Sequence, residues 1–268
     1  MKEEETNKGL WDELASIHRE SQFYDIDSFL KGRNRLREFE INELGNVKGK
    51  KIIHLMCHIG LDSLSLVRMG AEVTAIDFSG EAIKTGRELS KKTGAHCEFI
   101  QSDISSVLDH VKEKFDIVYT SIGVLAWIRD LNRWAKTISE LLKNDGFFYI
   151  AEIHPFTMLI SENATEDNIR ITDNYFSSKE AQYYQQEGSY ADRSAKVNTK
   201  GSYQWGYTIS DIINALISNG LELDYLHEFP FTCWPQFNFL HKEANGYFTI
   251  PDKLPNLPLL FSIKAHKK

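Results

Sequence analysis

Residues Lys51–Ser79 read KIIHLMCHIGLDSLSLVRMGAEVTAIDFS. Lys51–Leu55 is a short apolar, β-branched run with the length of one strand. Leu61, Leu64, Leu66, Val67 and Met69 stand among polar residues, which suits a helix with one buried face. Gly70 sits where a helix C-cap glycine belongs. Glu72–Ile76 reads as a second strand and runs into Asp77. So compact a strand–helix–strand unit implies parallel strands joined by a right-handed crossover. Sheets of this kind bind ligands beyond the carboxyl ends of their strands. Here those ends are the turn Met56–Gly60 and the acid Asp77.

A carboxylate at the end of the second strand can accept from both hydroxyls of a ribose, and a charged acceptor makes the stronger bonds. The turn before the helix offers backbone N–H groups to an anionic group. A dinucleotide and S-adenosylmethionine both carry a ribose and a nearby negative group. An Asp77 that only caps its own helix is the plainer alternative.

The alternation continues outward. Ser79 is a helix N-cap for a segment closed by Gly94, and His96–Gln101 reads as a third strand followed by Ser102, Asp103 and Ile104. FDIVYTS (115–121) is a fourth strand, GVLAWIRD leads into a helix ending near Leu142, and Asn144-Asp145-Gly146 signals a turn. GFFYIAEIHP is a fifth strand ending at Glu152, His154 and Pro155. The pattern then breaks. Residues 156–206 read as an excursion with short strands, because a bare loop of that length is uncommon. TISDIINALISNG is a helix, and LELDYLHEF and LLFSIKAHKK are the last strands.

Before the sheet, Leu10, Trp11, Leu14, Ile17 and His18 mark one helical face, and a second helix ends near Gly45. The aromatic segment between them, SQFYDIDSF, reads either as part of a flap over one sheet edge or as a lid that turns Phe23 or Tyr24 toward the ligand. Expected divisions are a helical cap (1–48), a cofactor-binding half (49–155), a lid or substrate insertion (156–206) and a closing helix with two strands (207–268), all within one domain.

Composition narrows the partners. A net charge of −7 argues against a broad nucleic-acid surface. Three widely spaced cysteines suggest neither a disulfide framework nor a zinc motif, so no metal site is expected. The first residues, MKEEETNKG, lack the apolar stretch of a signal peptide, and no run is long enough for a membrane span. A cytoplasmic protein without a membrane partner is the expectation, with its oligomeric state open.

With these pieces in order, the chain resembles the class I S-adenosylmethionine-dependent methyltransferases over most of residues 48–268. The resemblance rests on KIIHLMCHIG as the glycine-rich first motif, TAIDFS as the ribose motif, IQSDI as the adenine motif, FDIVYTSIGVLAWIRDL, LLKNDGFFYIAE and the terminal LLFSIKA. It implies an α/β, Rossmann-like sheet of seven mostly parallel strands in the order 3-2-1-4-5-7-6, with helices on both faces. It also implies S-adenosylmethionine as cofactor and, with the enclosing insertion, a small-molecule methyl acceptor.

Carried over residue by residue, the resemblance makes Asp77 the ribose ligand and Phe78 the wall against adenine. Asp103 receives the adenine amine, flanked by Ser102 and by the Ile104 N–H. Gly60 lines the methionyl part with the Cys57 and His58 backbone, and Ser121 sits near the cofactor amine. The first motif departs from the family pattern. His54 stands at the usual acid, and Met56 and His58 stand at the first two glycines, so that His58 either donates to the methionyl carboxylate or faces a neighbouring loop. Transfer from a sulfonium asks mainly for alignment, with a base only where the acceptor must lose a proton. His154, Tyr24 and Glu152 are the candidate bases, with His154 and Tyr24 expected to face the transferred methyl, and Trp127, Trp205 and Tyr207 the candidate acceptor walls. Two rival readings are a module that binds the cofactor without transfer and an NAD-dependent dehydrogenase. The latter would want three glycines in the first turn, where this chain has one.

Overall fold

A computed structural model of the chain describes residues 2–161, 163–176 and 179–268. Seven strands form its centre: β1 (Lys51–Leu55), β2 (Glu72–Asp77), β3 (Cys97–Gln101), β4 (Phe115–Thr120), β5 (Leu142–Ile153), β6 (Leu221–Phe229) and β7 (Leu260–Lys267). Their spatial order is β3-β2-β1-β4-β5-β7-β6. β1 to β5 are parallel, and β7 runs antiparallel to both β5 and β6. The α/β, Rossmann-like sheet and the strand order expected from sequence are those observed.

The helices are α1 (Lys2–Glu20), α2 (Ile26–Leu30), α3 (Glu38–Leu44), α4 (Leu61–Arg68), α5 (Gly80–Thr93), α6 (Val107–His110), α7 (Leu131–Leu141) and α8 (Ile209–Ser218). Strand side chains alternate between two faces. Ile53, Leu55, Val118, Phe148 and Ile150 pack with α7 and α8, whereas Ile52, Ile117, Tyr119 and Tyr149 pack on the opposite face with α3. Apolar cover on both faces is what a parallel sheet needs.

Two glycines report close approaches. A Cβ on Gly60 would collide with the Phe99 ring of β3, and Gly60 has φ +77°. Gly60 therefore answers first to helix–strand packing. A Cβ on Gly146 would lie 2.8 Å from the Phe115 carbonyl oxygen. Gly146 does not close a turn: β5 begins at Leu142, and the Asn144–Gly146 stretch lies inside it, with the register shifting opposite Phe115–Ile117. A glycine within a strand marks such a close backbone approach.

The segment after β5 carries a 3-10 turn, Pro155–Leu159, and a hairpin pairing Gln182–Gln185 with Gly201–Gln204. This hairpin docks on α1. Asn7 Nδ2 donates to the Tyr203 carbonyl at 2.7 Å, and the Tyr203 N–H donates back to Asn7 Oδ1 at 2.8 Å. Glu13 accepts from the N–H groups of Asn198 and Thr199. The cap and the insertion thus form one cover.

Candidate active site

A cavity of about 910 Å³ lies beyond the carboxyl ends of β1, β2, β4 and β5. The cap and the insertion wall it through Trp11, Tyr24, Tyr190 and Trp205. Its floor is the turn between β1 and α4. Met56, His58 and Gly60 all have positive φ there, at 59°, 52° and 77°. Left-handed backbone costs a non-glycine residue on the order of 1–2 kcal/mol. The two departures from the glycine pattern therefore change side chains and leave the backbone path in place.

Asp77 lines the cavity and is buried. Its Oδ2 accepts from the His58 N–H at 2.7 Å and its Oδ1 from the Ser79 N–H at 2.9 Å. Burial raises its pKa to about 6, and these two N–H bonds oppose the rise. A carboxylate has about four lone-pair sites, so one on each oxygen stays open for a pair of hydroxyls. Phe78, Cys57 and Ser121 also line the cavity. Burial pushes the Cys57 thiol well above its ordinary range, which leaves an unreactive apolar wall. His54 is fully buried between Ser63 Oγ, at 2.8 Å, and Ser121 Oγ, at 3.2 Å, and burial holds its pKa near 3. A neutral imidazole thus occupies the place of the usual acid.

The cavity does not reach Ser102, Asp103 or Ile104. Asp103 is exposed, and its Oδ1 accepts from the Ser105 N–H at 2.7 Å, which makes it the cap of a local turn.

Of the candidate bases, Glu152 is committed to structure. Its carboxylate accepts from the N–H groups of Gly123, Val124, Leu125 and Ile153. It fixes the loop after β4 rather than facing the acceptor with a free oxygen. His154 is not a lining residue, although its neighbours Ile153 and Pro155 are. The Phe156 N–H donates to His154 Nδ1 at 3.1 Å, so the ring proton sits on Nε2 and is given to Glu228 Oε1 at 2.9 Å. Both nitrogens are used outside the cavity, which corrects the expectation that His154 faces the transferred methyl. Tyr24 does line the cavity, and its hydroxyl bonds that of Tyr190 in the insertion. Burial raises its pKa well above 10, so it is a neutral phenol and not a ready base.

Trp127, Trp205 and Tyr207 all line the cavity. Trp127 donates to the Gly123 carbonyl at 3.0 Å and meets Trp11 edge-on at 5.1 Å. The Trp205 N–H donates to the Ala126 carbonyl at 2.9 Å, and the Tyr207 hydroxyl donates to that of Ile128 at 2.6 Å.

Sequence reading missed a charged cluster on the same wall, formed by Arg35, Arg37, Glu40 and Asp62. Asp62 lies in the first turn of α4, directly after the turn that forms the cavity floor, and its side chain makes no hydrogen bond or ion pair among the described residues. Burial raises its pKa against the pull of Arg35 and then Arg37. Arg35 lies over the rings of Phe23 and Tyr24, at 5.1 and 5.2 Å. The available signal was spacing: in RNRLRE, Arg35 and Arg37 are two apart, so an extended chain turns both the same way. His18, noted only as part of a helical face, is the other addition, since it bonds His58.

Comparison with known proteins agrees with the fold. The family model described as a methyltransferase domain matches residues 46–200, more than half of the chain. The ubiquinone biosynthesis O-methyltransferase of Proteus mirabilis is 25% identical over 138 residues, which is 50% of this chain and 56% of that protein. The chain therefore spans little more than half the length of the curated relatives it matches. Among solved structures, an S-adenosylmethionine-dependent methyltransferase from Mesorhizobium loti superposes with a TM-score of 0.59 at 19% identity, covering 89% of this chain and 100% of that one. Another from Clostridium acetobutylicum gives 0.56 at 15% identity, covering 85% and 88%. With residues 46–200 matched by the family model and the strand order expected of the fold, the chain belongs to the methyltransferase-domain family of class I S-adenosylmethionine-dependent enzymes.

Proposed function

We propose that this protein transfers a methyl group from S-adenosylmethionine to a small molecule bound in the same cavity. One observation carries the reading: Asp77, Asp62 and Arg35 all line the cavity that the first turn lines. Asp77 has lone pairs open for ribose hydroxyls. Asp62 and Arg35 offer one negative and one positive group, which suits the ammonium and carboxylate of a methionyl head. The residues present thus fit the cofactor at both of its polar ends.

When bound, the sulfonium supplies an activated methyl that leaves by in-line displacement. The chain's own part is alignment and exclusion of water. Glu152 fixes the 123–125 loop, and Trp11, Trp127 and Trp205 close the space with apolar rings. Aromatic faces also attract a cation, by roughly 0.5–2 kcal/mol each.

The name shared by the curated relatives favours an oxygen acceptor on a small molecule. The formal charge of −7 disfavours nucleic acid. A cytoplasmic site of action is supported by three unpaired cysteines, and no described helix is long and apolar enough to cross a membrane. The retained left-handed backbone at Met56 and His58 weakens the case for a non-catalytic module, and membership of the family sets the dehydrogenase reading aside.

The test has two stages. Calorimetry should show binding of S-adenosylmethionine and S-adenosylhomocysteine and none of NAD. A metabolite panel, read by S-adenosylhomocysteine release, should then yield at least one acceptor. Binding without turnover across hydroxyl, amine, thiol and carbon acceptors would favour the module.

A further inference from the structure

The cavity holds one cation more than the cofactor needs. Arg35 lies under the cap, against Phe23 and Tyr24. Arg37 acts on Asp62 less than Arg35 does, and its Nη2 reaches the Cys233 carbonyl at 3.4 Å, in the segment that also lines the cavity with Trp234 and Gln236. That segment is tied to the end of β5, because Gln236 Nε2 donates to Thr157 Oγ1 at 3.0 Å, and Thr157 Oγ1 donates to the His154 carbonyl at 2.9 Å. β5 lies three strand positions from β2. At about 4.8 Å per strand, the ends of β5 and β2 are roughly 14 Å apart.

Arg37 is half-buried and lines the cavity, and no carboxylate pairs with its side chain among the described residues. The neighbouring acid Glu40 does not neutralise it by contact. One Glu40 oxygen accepts from the Tyr119 hydroxyl at 2.7 Å and the other from the Arg37 backbone N–H at 3.0 Å. Burial, then Asp62, raises the Glu40 pKa to about 7, so part of its population is uncharged at neutral pH. A guanidinium presents a planar fork of donors that matches an oxyanion bidentately.

We propose that Arg37 is a specificity-determining residue that binds an oxyanion, a carboxylate or a phosphate, on the methyl acceptor. The proposal rests on the reading of the cavity as a methyl-transfer site. It narrows the acceptor to small acids with an apolar or aromatic body, since Trp234 and Trp127 line the same cavity. An anionic acceptor also complements the sulfonium, whose positive charge would repel a cationic one.

Binding of matched probes to the S-adenosylhomocysteine-loaded protein tests this by calorimetry. Benzoate should bind at least tenfold more tightly than benzyl alcohol, with phenyl phosphate as the second arm; whichever anion binds better names the source. In Arg37→Gln the ratio of acid to alcohol should fall to within twofold of one, and Arg37→Lys should restore part of it. Arg35→Gln should keep the ratio and weaken S-adenosylhomocysteine instead. An equal ratio in wild type and Arg37→Gln, including no discrimination by the wild type, overturns the proposal. Failure of the wild type to bind S-adenosylhomocysteine at all would instead overturn the cofactor reading beneath it.

Discussion

His18 Nδ1 and His58 Nε2 share a hydrogen bond of 2.8 Å, which joins the cap helix to the turn that forms the cavity floor. His18 Nε2 continues the chain to Ser189 Oγ, at 2.7 Å, in the insertion. Three segments distant in sequence meet on two imidazoles. Burial lowers the His18 pKa to about 3 and that of His58 well below its ordinary value, so the link is between neutral rings. It adds no positive charge beside a sulfonium.

The link predicts non-additive stability. His18→Ala leaves Ser189 Oγ without its ring partner and should cost about 1–3 kcal/mol. His58→Gly loses the bond but relieves a left-handed backbone, so its net effect should be smaller. Denaturant unfolding of both single variants and the double variant should give a coupling of at least about 0.5 kcal/mol. Strict additivity would mean that the two rings do not support each other.

Asp77 predicts a pH-dependent cofactor affinity. In the proposed pose ribose hydroxyls would donate to the ionised carboxylate, whose pKa in the free protein is raised to about 6. Affinity for S-adenosylmethionine should therefore be full above pH 6 and decline below it, by at most about tenfold per pH unit. The same raised pKa acts on folding in the opposite sense. Its contribution to stability is present below about pH 4, the unfolded value, and is lost as pH rises through 6. Asp77→Asn should flatten both profiles, as measured by calorimetry and by thermal melts across pH 4–8.

Removing the carboxylate outright should cost about 1.5–3 kcal/mol of cofactor binding, the range for a hydrogen bond to a charged group. Asp103→Ala should cost less, because Asp103 lies outside the cavity and caps the Ser105 N–H. Titrations of the two variants side by side decide the order. Weaker binding in Asp103→Ala would place adenine against residues 102–104 after closure.

Glu152→Gln should impair turnover without touching the acceptor. The carboxylate accepts four backbone N–H bonds, and an amide supplies a single accepting oxygen. Stranded N–H groups cost about 1–3 kcal/mol each where they remain buried. Melting temperature should fall together with kcat, and faster proteolysis should appear around residues 122–127. A drop in kcat with stability intact would restore Glu152 as a participant in the chemistry.

His154→Ala should show the pattern of a turn residue. The ring caps the Phe156 N–H and pairs with a half-exposed Glu228. Loss of about 1 kcal/mol of stability with kcat within a few-fold of wild type is expected. A hundredfold fall in kcat at unchanged stability would reinstate a catalytic role.

The sheet was legible because its signals are local. β1, the turn, α4 and β2 each announce themselves within a few residues, through apolar period, Gly70 and Ser79. The position of Asp77 followed from strand length alone. The charged wall was legible only in the alternate spacing of Arg35 and Arg37, because these come from a loop and Asp62 from the first turn of α4, and only the tertiary fold brings them together. Alternation keeps His154 on the face of Glu152, where Glu228 shares a cross-strand row with Glu152 through Phe261, and it is this neighbour across β7, which no local signal announces, that takes the ring outside the cavity. Similarly, IQSDI placed Asp103 after the right strand without revealing that the Ser105 N–H would claim its side chain.

The docking of α1 on the hairpin has a consequence for the order of assembly. Asn7 bonds Tyr203 across 196 positions, and Glu13 bonds Thr199 across 186. During synthesis α1 emerges well before the hairpin and waits for most of the intervening chain before its partner exists. Contacts so distant in sequence carry a loop-closure penalty that short-range pairings avoid, and they form late. The cavity should thus remain uncovered in a nascent chain whose first strands have already paired, and ribosome-bound chains ending before residue 182 should expose α1 to protease while protecting β1 to β5.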